Sequence, residues 1–166
     1  HARGRRNAAD TQLNRFDITL NGLPSAFDGY TILHMSDLHA DGPLDLEASV
    51  GRLLDGVEVD LCVLTGDYRY RLSGRHEDAA APMAGIIRHV QARDGIFGIM
   101  GNHDLATMIA PLENAGIRIL VNDHAILRRG DDEIQLVGLD DVHAYQPAEE
   151  AAAALADMPG GYRILL

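Results

Sequence analysis

A short segment, Leu61-Cys62-Val63-Leu64-Thr65-Gly66-Asp67, shows the plan on which much of the chain is built. Four consecutive apolar residues bounded by turn residues are typical of a strand that is buried on both faces. Polar residues and a glycine follow that strand at once. The plan occurs twice more: residues 30–35 lead into Ser36-Asp37-Leu38-His39, and residues 96–100 lead into Gly101-Asn102-His103-Asp104.

The segments between these three strands have the spacing of amphipathic helices. Apolar residues recur every three or four positions over residues 46–57 and again over residues 82–90. Strands that alternate with helices indicate parallel pairing through crossover helices, so we predict an α/β fold. Further elements are predicted as strands at 15–20, 117–121, 125–128, 133–137 and 162–166 and as helices at 105–114 and 147–156.

Composition limits the classes of function. The chain has 166 residues and a net charge of −11, which argues against a nucleic-acid backbone as a partner. No apolar run reaches the 18 or so residues of a membrane span, so we expect a soluble chain. The single cysteine, Cys62, lies in an apolar run and is expected to be a buried, inert thiol. Residues 1–13 are predicted to be a flexible arm and residues 14–166 to belong to one domain.

The polar residues after the three strands are of types that bind metal ions. The carboxyl ends of parallel strands meet at one edge of a sheet, where α/β proteins bind their ligands. In extended backbone, Asp37 and His39 would project to the same side. Asp67 adds a second carboxylate and Asn102 an amide oxygen. This mixed donor set suits Mn²⁺, Fe or Zn²⁺ and suits Mg²⁺ less well.

Each motif has a simpler interpretation when it is taken alone. Asp37 and His39 could cap a helix or a turn, and Gly66-Asp67 is a common turn pair. Residues 101–104 could cap the helix that is predicted to follow. Three such clusters, in order and each after a buried strand, are not explained well as turns. The sequence therefore favours one shared metal site.

Together, Asp37-x-His39, Gly66-Asp67 and Gly101-Asn102-His103-Asp104 resemble the signature of the calcineurin-like metallophosphoesterases. The resemblance implies a four-layer αββα sandwich, incomplete at its C-terminal end, and two divalent metal ions, with Mn²⁺ expected. Asp37 and His39 would hold the first ion, Asp67 would bridge both ions, and Asn102 would hold the second. His103 would contact the phosphate, and Asp104 would orient the His103 ring. The implied reaction is hydrolysis of a phosphodiester or pyrophosphate by a hydroxide that bridges the metals.

Within that superfamily, residues 16–30 and 137–141 are most similar to a bacterial phosphodiesterase branch. Some members of this branch hydrolyse the pyrophosphate of UDP-2,3-diacylglucosamine in lipid A synthesis. The resemblance implies a small-molecule or lipid-linked substrate and an N-terminal anchor or signal. Arg3, Arg5 and Arg6 would suit a segment close to anionic lipid, so peripheral membrane association is one expectation. A cytoplasmic protein with a solvated N-terminal tail is the alternative.

The resemblance also implies three later histidines that this sequence does not contain. We therefore expect a truncated chain that is inactive by itself, binds metal weakly and tends to dimerise. His143 and Asp141 are weighed as substitute ligands, with a cap for the helix at Pro147 as the alternative. Two other functions stay open: a non-catalytic metal-binding module, and a nucleotide phosphodiesterase or nuclease on the same scaffold.

Overall fold

A computed structural model of the chain describes residues 11–71, 79–140, 155, 156, 158 and 160–166. The helices are α1 (Leu46–Leu54), α2 (Ala80–Ile87) and α3 (Ile109–Asn114), with short 3₁₀ helices at Ser25–Phe27 and Ala106–Met108. The strands are β1 (Ile32–Met35), β2 (Glu58–Val59), β3 (Leu61–Leu64), β4 (Gln91–Ala92), β5 (Ile96–Gly98), β6 (Arg118–Ile119), β7 (Asp123–Arg129), β8 (Asp132–Gly138) and β9 (Tyr162–Leu165).

The first sheet is parallel and has the order β1-β3-β5-β6. Its strands are linked by segments that contain α1, α2 and α3 in turn, as the alternation of strand and helix predicts. Helix α1 begins where the Asp45 side chain accepts a hydrogen bond from the Ala48 amide. Its apolar side, with Val50 and Leu54 buried, packs into the core beside the first sheet. The α/β prediction is confirmed.

The second sheet has the order β7-β8-β9. Strands β7 and β8 form an antiparallel hairpin that turns at Gly130, which has a φ of 58°, and β9 pairs parallel with β8. One core lies between the helices and the first sheet, and a second core joins the two sheets. The described residues thus form three layers, helices, sheet and sheet. The helix predicted at residues 147–156 lies mostly outside the described residues, so the fourth layer stays a prediction.

An ion network ties the two sheets together at the end of the molecule opposite the polar clusters. Arg129, at the end of β7, lies 2.8 Å from Asp60 and 3.3 Å from Asp94. These carboxylates lie just before β3 and β5. The guanidinium carbon of Arg129 is also 4.5 Å from the centre of the Tyr30 ring, whose hydroxyl donates to Asp94. The network joins the second sheet to the first and includes none of the polar residues that follow β1, β3 and β5.

The predicted strand at residues 15–20 is wrong. This segment has no regular secondary structure, and Phe16 and Ile18 are 80% and 75% exposed. Alternation of polar and apolar residues makes a strand only where a sheet edge accepts it, and no described strand pairs with these residues. The helix predicted at 105–114 is also divided. It begins as the 3₁₀ turn Ala106–Met108 and continues as α3, with Pro111 in the first turn of α3, where proline is tolerated.

Two further predictions, the domain boundary and the membrane association, are not decided by the described residues. The boundary between an arm at 1–13 and a domain at 14–166 stays a prediction, since residues 1–10 are not described. In the described part of the chain, no helix is long and apolar enough to cross a membrane.

Candidate metal centre

Three donor side chains meet beyond the carboxyl ends of β1 and β3. One ligand atom from each of Asp37, His39 and Asp67 lies within 4.8 Å of the other two. Asp37 and His39 follow β1, Asp67 follows β3, and these strands are neighbours in the first sheet. The sequence-predicted convergence of these three residues is therefore present in the structure.

The loops that carry the donors are joined through their backbones. The Asp37 amide donates to the Gly66 carbonyl at 3.2 Å, and the His39 amide donates to the Asp67 carbonyl at 3.0 Å. The Ala40 amide continues this ladder to the Tyr68 carbonyl at 2.7 Å. The relative positions of the donors are thus fixed by main-chain hydrogen bonds, which do not depend on a bound ligand.

All three donor residues have left-handed backbones. The φ angles are 52° at Asp37, 45° at His39 and 56° at Asp67, and Asn122 is the only other described non-glycine residue with positive φ. The spacing of Asp37 and His39 suggested extended backbone, and the structure shows left-handed backbone at both residues instead. Positive φ is uncommon outside glycine, and strained backbone concentrates at functional sites. Its presence at each donor supports a binding role for the cluster.

His39 is held in one orientation by the backbone of the next loop. Its Nδ1 lies 2.5 Å from the Arg69 carbonyl oxygen, which can only accept a hydrogen bond. Nδ1 therefore carries the proton, and Nε2 is left with the free lone pair that a metal ion needs.

Two glycines allow the loops after β3 and β5 to touch. A Cβ on Gly66 would lie 2.4 Å from the Gly101 nitrogen, and Gly66 also has a φ of +86°. A Cβ on Gly101 would lie 2.3 Å from an Asp67 carboxylate oxygen. The absence of side chains at Gly66 and Gly101 allows the backbones of the two loops to approach each other closely.

The Asp104 carboxylate accepts hydrogen bonds from backbone amides. Its Oδ2 accepts from Asp67 and Gly101 at 2.8 and 2.9 Å, and its Oδ1 accepts from Tyr68 and Arg69 at 2.9 and 3.3 Å. Burial raises the pKa of Asp104 above its ordinary value, and the amide donors oppose that rise. The expected orienting bond from Asp104 to the His103 ring is not among the described hydrogen bonds. Asp104 instead acts as a clamp between the two loops.

His103 lies beside the donors. Its ring centre is 4.9 Å from that of His39, and its backbone amide donates to Asp67 at 3.0 Å. Its Nδ1 is buried and has no hydrogen-bond partner in the described structure. Asn102 is exposed on the adjoining turn, and no described contact fixes its amide group. The roles of Asn102 in binding a second ion and of His103 in contacting phosphate stay predictions.

Comparison with known proteins agrees with this arrangement. The family of calcineurin-like phosphoesterases matches residues 30–156. That span contains every donor described above. The chain belongs to the calcineurin-like phosphoesterase family.

Two individual proteins show more distant similarity. An uncharacterized metallophosphoesterase, YkoQ, from Bacillus subtilis strain 168 is 25% identical over 169 residues, which is 97% of this chain and 61% of that protein. This chain thus spans about three fifths of the length of the curated relative. The crystal structure of AQ665, a protein of unknown function from Aquifex aeolicus, shares 13% identity at a TM-score of 0.38, over 76% of this chain and 70% of the other.

The donors of this calcineurin-like chain fit a divalent metal ion. Two carboxylates and an imidazole with its Nε2 free are a set that binds Mn²⁺, Fe or Zn²⁺. The Arg69 carbonyl behind His39 is the outer partner that metal-binding histidines usually have. Among the described residues, one such group of three donors is found, so the second ion stays a prediction. Asp141 and His143 lie outside the described residues.

Three residues near the centre were not predicted from the sequence. The carbonyl of Arg69 could not be, because every residue has one. Asp41 accepts a hydrogen bond from the Tyr70 amide, and the Tyr70 ring meets the His39 ring edge to face at 6.0 Å. The signal for Tyr70 was available, since an aromatic residue three positions after Asp67 stands in the loop of the motif.

Proposed function

We propose that the whole protein hydrolyses a phosphodiester or a pyrophosphate and that the reaction uses two divalent metal ions, preferentially Mn²⁺. The observation that carries this proposal is the convergence of Asp37, His39 and Asp67 within 4.8 Å at the ends of β1 and β3. Membership of the calcineurin-like phosphoesterase family supports the reaction class. Asp67, which lies between the loops after β1 and β5, is the residue that we assign to both ions.

The chain's own residues would divide the work as follows. Asp37, Asp67 and Nε2 of His39 would hold metal, and a bound ion supplies the Lewis acidity that hydrolysis needs at neutral pH. The Arg69 carbonyl keeps the His39 proton on Nδ1 and away from the metal side. His103 would hold the phosphate or give a proton to the departing oxygen, since its ring lies beside His39 and makes no described hydrogen bond through Nδ1.

The test uses the full-length protein after removal of bound metal. Hydrolysis of bis(p-nitrophenyl) phosphate is measured with Mn²⁺, Zn²⁺, Fe²⁺ or Mg²⁺ and again after chelation, and metal content is measured by elemental analysis. We expect activity that depends on metal and is highest with Mn²⁺. Full activity after complete chelation would refute the proposal. Two bound ions without hydrolysis of any substrate would indicate a non-catalytic binding module.

Variants test whether the activity depends on the cluster of Asp37, His39 and Asp67. Asp67→Asn should lower activity more than His39→Ala, because Asp67 is assigned to both ions and His39 to one. The matched control is Asp17→Asn, which removes a carboxylate whose side chain is 94% exposed on the N-terminal segment. Equal losses in Asp67→Asn and the control would place the chemistry elsewhere. UDP-2,3-diacylglucosamine in the substrate panel tests the lipid A assignment, which rests only on sequence resemblance.

A further inference from the structure

Tyr70 is an exposed aromatic residue at the rim of the metal centre. It is 55% exposed. Its ring meets the His39 ring edge to face, with centres 6.0 Å apart and planes at 87°. The centre of the His103 ring lies 4.9 Å from that of His39. Tyr70 therefore borders the same donor as the residue that we assign to the phosphate.

The backbone of Tyr70 is held in place although its ring is open to solvent. Its amide donates to the Asp41 carboxylate at 2.5 Å, in the loop that follows β1. Gly42 lies against it, and a Cβ added there would be 3.6 Å from the Tyr70 Cβ and 2.8 Å from the His39 carbonyl oxygen. The backbone before Tyr70 is held as well, since the Arg69 amide donates to Asp104. These contacts hold the backbone of Tyr70 in place and leave its ring uncovered, as a contact surface requires.

We propose that Tyr70 determines specificity by packing against a flat aromatic group, such as a nucleobase, in the organic part of the phosphoester. This inference rests on the proposed function, which places the phosphate at the metal donors. An organic group esterified to that phosphate leaves the centre over its rim, where Tyr70 is exposed. Aromatic rings stack on nucleobases in a manner that tolerates different bases, and tyrosine loses little conformational entropy when it does so.

The experiment compares two ligands that differ only in the base. AMP and ribose 5-phosphate carry the same phosphate and sugar, and calorimetry measures their binding to the Mn²⁺-loaded full-length protein. We expect AMP to bind about tenfold more tightly, in line with the contribution of one stacked base. Tyr70→Ala should remove that preference and leave the affinity for ribose 5-phosphate unchanged. Tyr70→Phe should keep the preference, because stacking does not need the hydroxyl.

Controls separate this role from a structural one. Metal content and melting temperature should be the same in Tyr70→Ala as in the wild type, and Tyr70→Leu gives a second variant that retains apolar volume. Phe16→Ala, at a ring that is 80% exposed on the N-terminal segment, should change neither affinity. If AMP and ribose 5-phosphate bind equally, or neither binds, or Tyr70→Ala keeps the preference, the inference is refuted.

Equilibrium binding also separates this inference from the proposed function, since it requires no turnover. A protein that hydrolyses no substrate but binds AMP in a Tyr70-dependent way would refute the proposed reaction and retain the role of Tyr70. A protein that hydrolyses phosphodiesters but binds AMP and ribose 5-phosphate equally would retain the proposed reaction and refute the role of Tyr70.

Discussion

Removal of the Asp104 carboxylate should destabilise the loops that carry the metal donors. Asp104 accepts hydrogen bonds from four backbone amides, those of Asp67, Tyr68, Arg69 and Gly101. In Asp104→Ala these partly buried donors lose their acceptor, and each donor left unsatisfied costs about 1–3 kcal/mol. Water can replace part of the loss, so the low end applies and the four together amount to about 4 kcal/mol.

Asp104→Asn should have about half that effect, since one amide oxygen remains as an acceptor while the new NH₂ group faces two N–H donors. We expect a loss of about 2 kcal/mol in the free energy of unfolding. Urea denaturation of the metal-free full-length protein, followed by circular dichroism, measures it. The matched control, Asp17→Asn, should change the free energy of unfolding by less than about 0.5 kcal/mol.

The metal dependence distinguishes a clamp from a simple stability effect. Because Asp104 joins the loops after β3 and β5, its loss should also weaken Mn²⁺ binding, which calorimetry measures under conditions where the variant is folded. A variant as stable as the wild type, with unchanged affinity for Mn²⁺, would show that the four amides find other acceptors and would refute the reasoning.

Three further predictions concern separate parts of the molecule. His103→Ala should keep its metal content and lose about 100-fold in turnover, the usual contribution of a proton-transferring group, and loss of metal would show that His103 is a ligand. Arg129→Met should lower the free energy of unfolding by about 1–2 kcal/mol in urea denaturation, because Asp60 and Asp94 would lose one of the two arginines that pair with them and keep only Arg93, and an unchanged value would exclude a stabilising role. Burial raises the pKa of Cys62 from 9.0 to about 12, so the native thiol should not react with a disulfide reagent at pH 8. The contribution of this buried, protonated thiol to the free energy of unfolding should be fully present below pH 9 and should fall as the pH rises toward 12. Rapid reaction of Cys62 before unfolding would contradict its burial.

The sequence was sufficient to predict the parallel sheet and the convergence of Asp37, His39 and Asp67. Continuous apolar runs that end in glycine and polar residues are a local signal, and the parallel arrangement brings their ends together. The contacts of Asp104 could not be predicted, because its partners are backbone amides that residue types do not distinguish. The same holds for the carbonyl of Arg69, which orients His39.

The N-terminal segment shows the limit of periodicity. Residues 15–20 alternate between polar and apolar types as a strand does, yet they are exposed and unpaired with any described strand. Periodicity describes what a segment could bury and not whether a sheet edge receives it. Left-handed backbone at the donors was also not predictable, since Asp and His occur more often in other conformations.

The positive φ angles at Asp37, His39 and Asp67 restrict how this site can change during evolution or design. Every replacement there must satisfy the metal ion and also the left-handed backbone. Asp, Asn and His enter that conformation several-fold more readily than other non-glycine residues, and all three carry donor atoms. Glu and Cys, which are good ligands elsewhere, lack that preference. A randomised library selected for metal binding should therefore return Asp, Asn and His at these positions, and a thiolate site for Zn²⁺ would require a rebuilt loop.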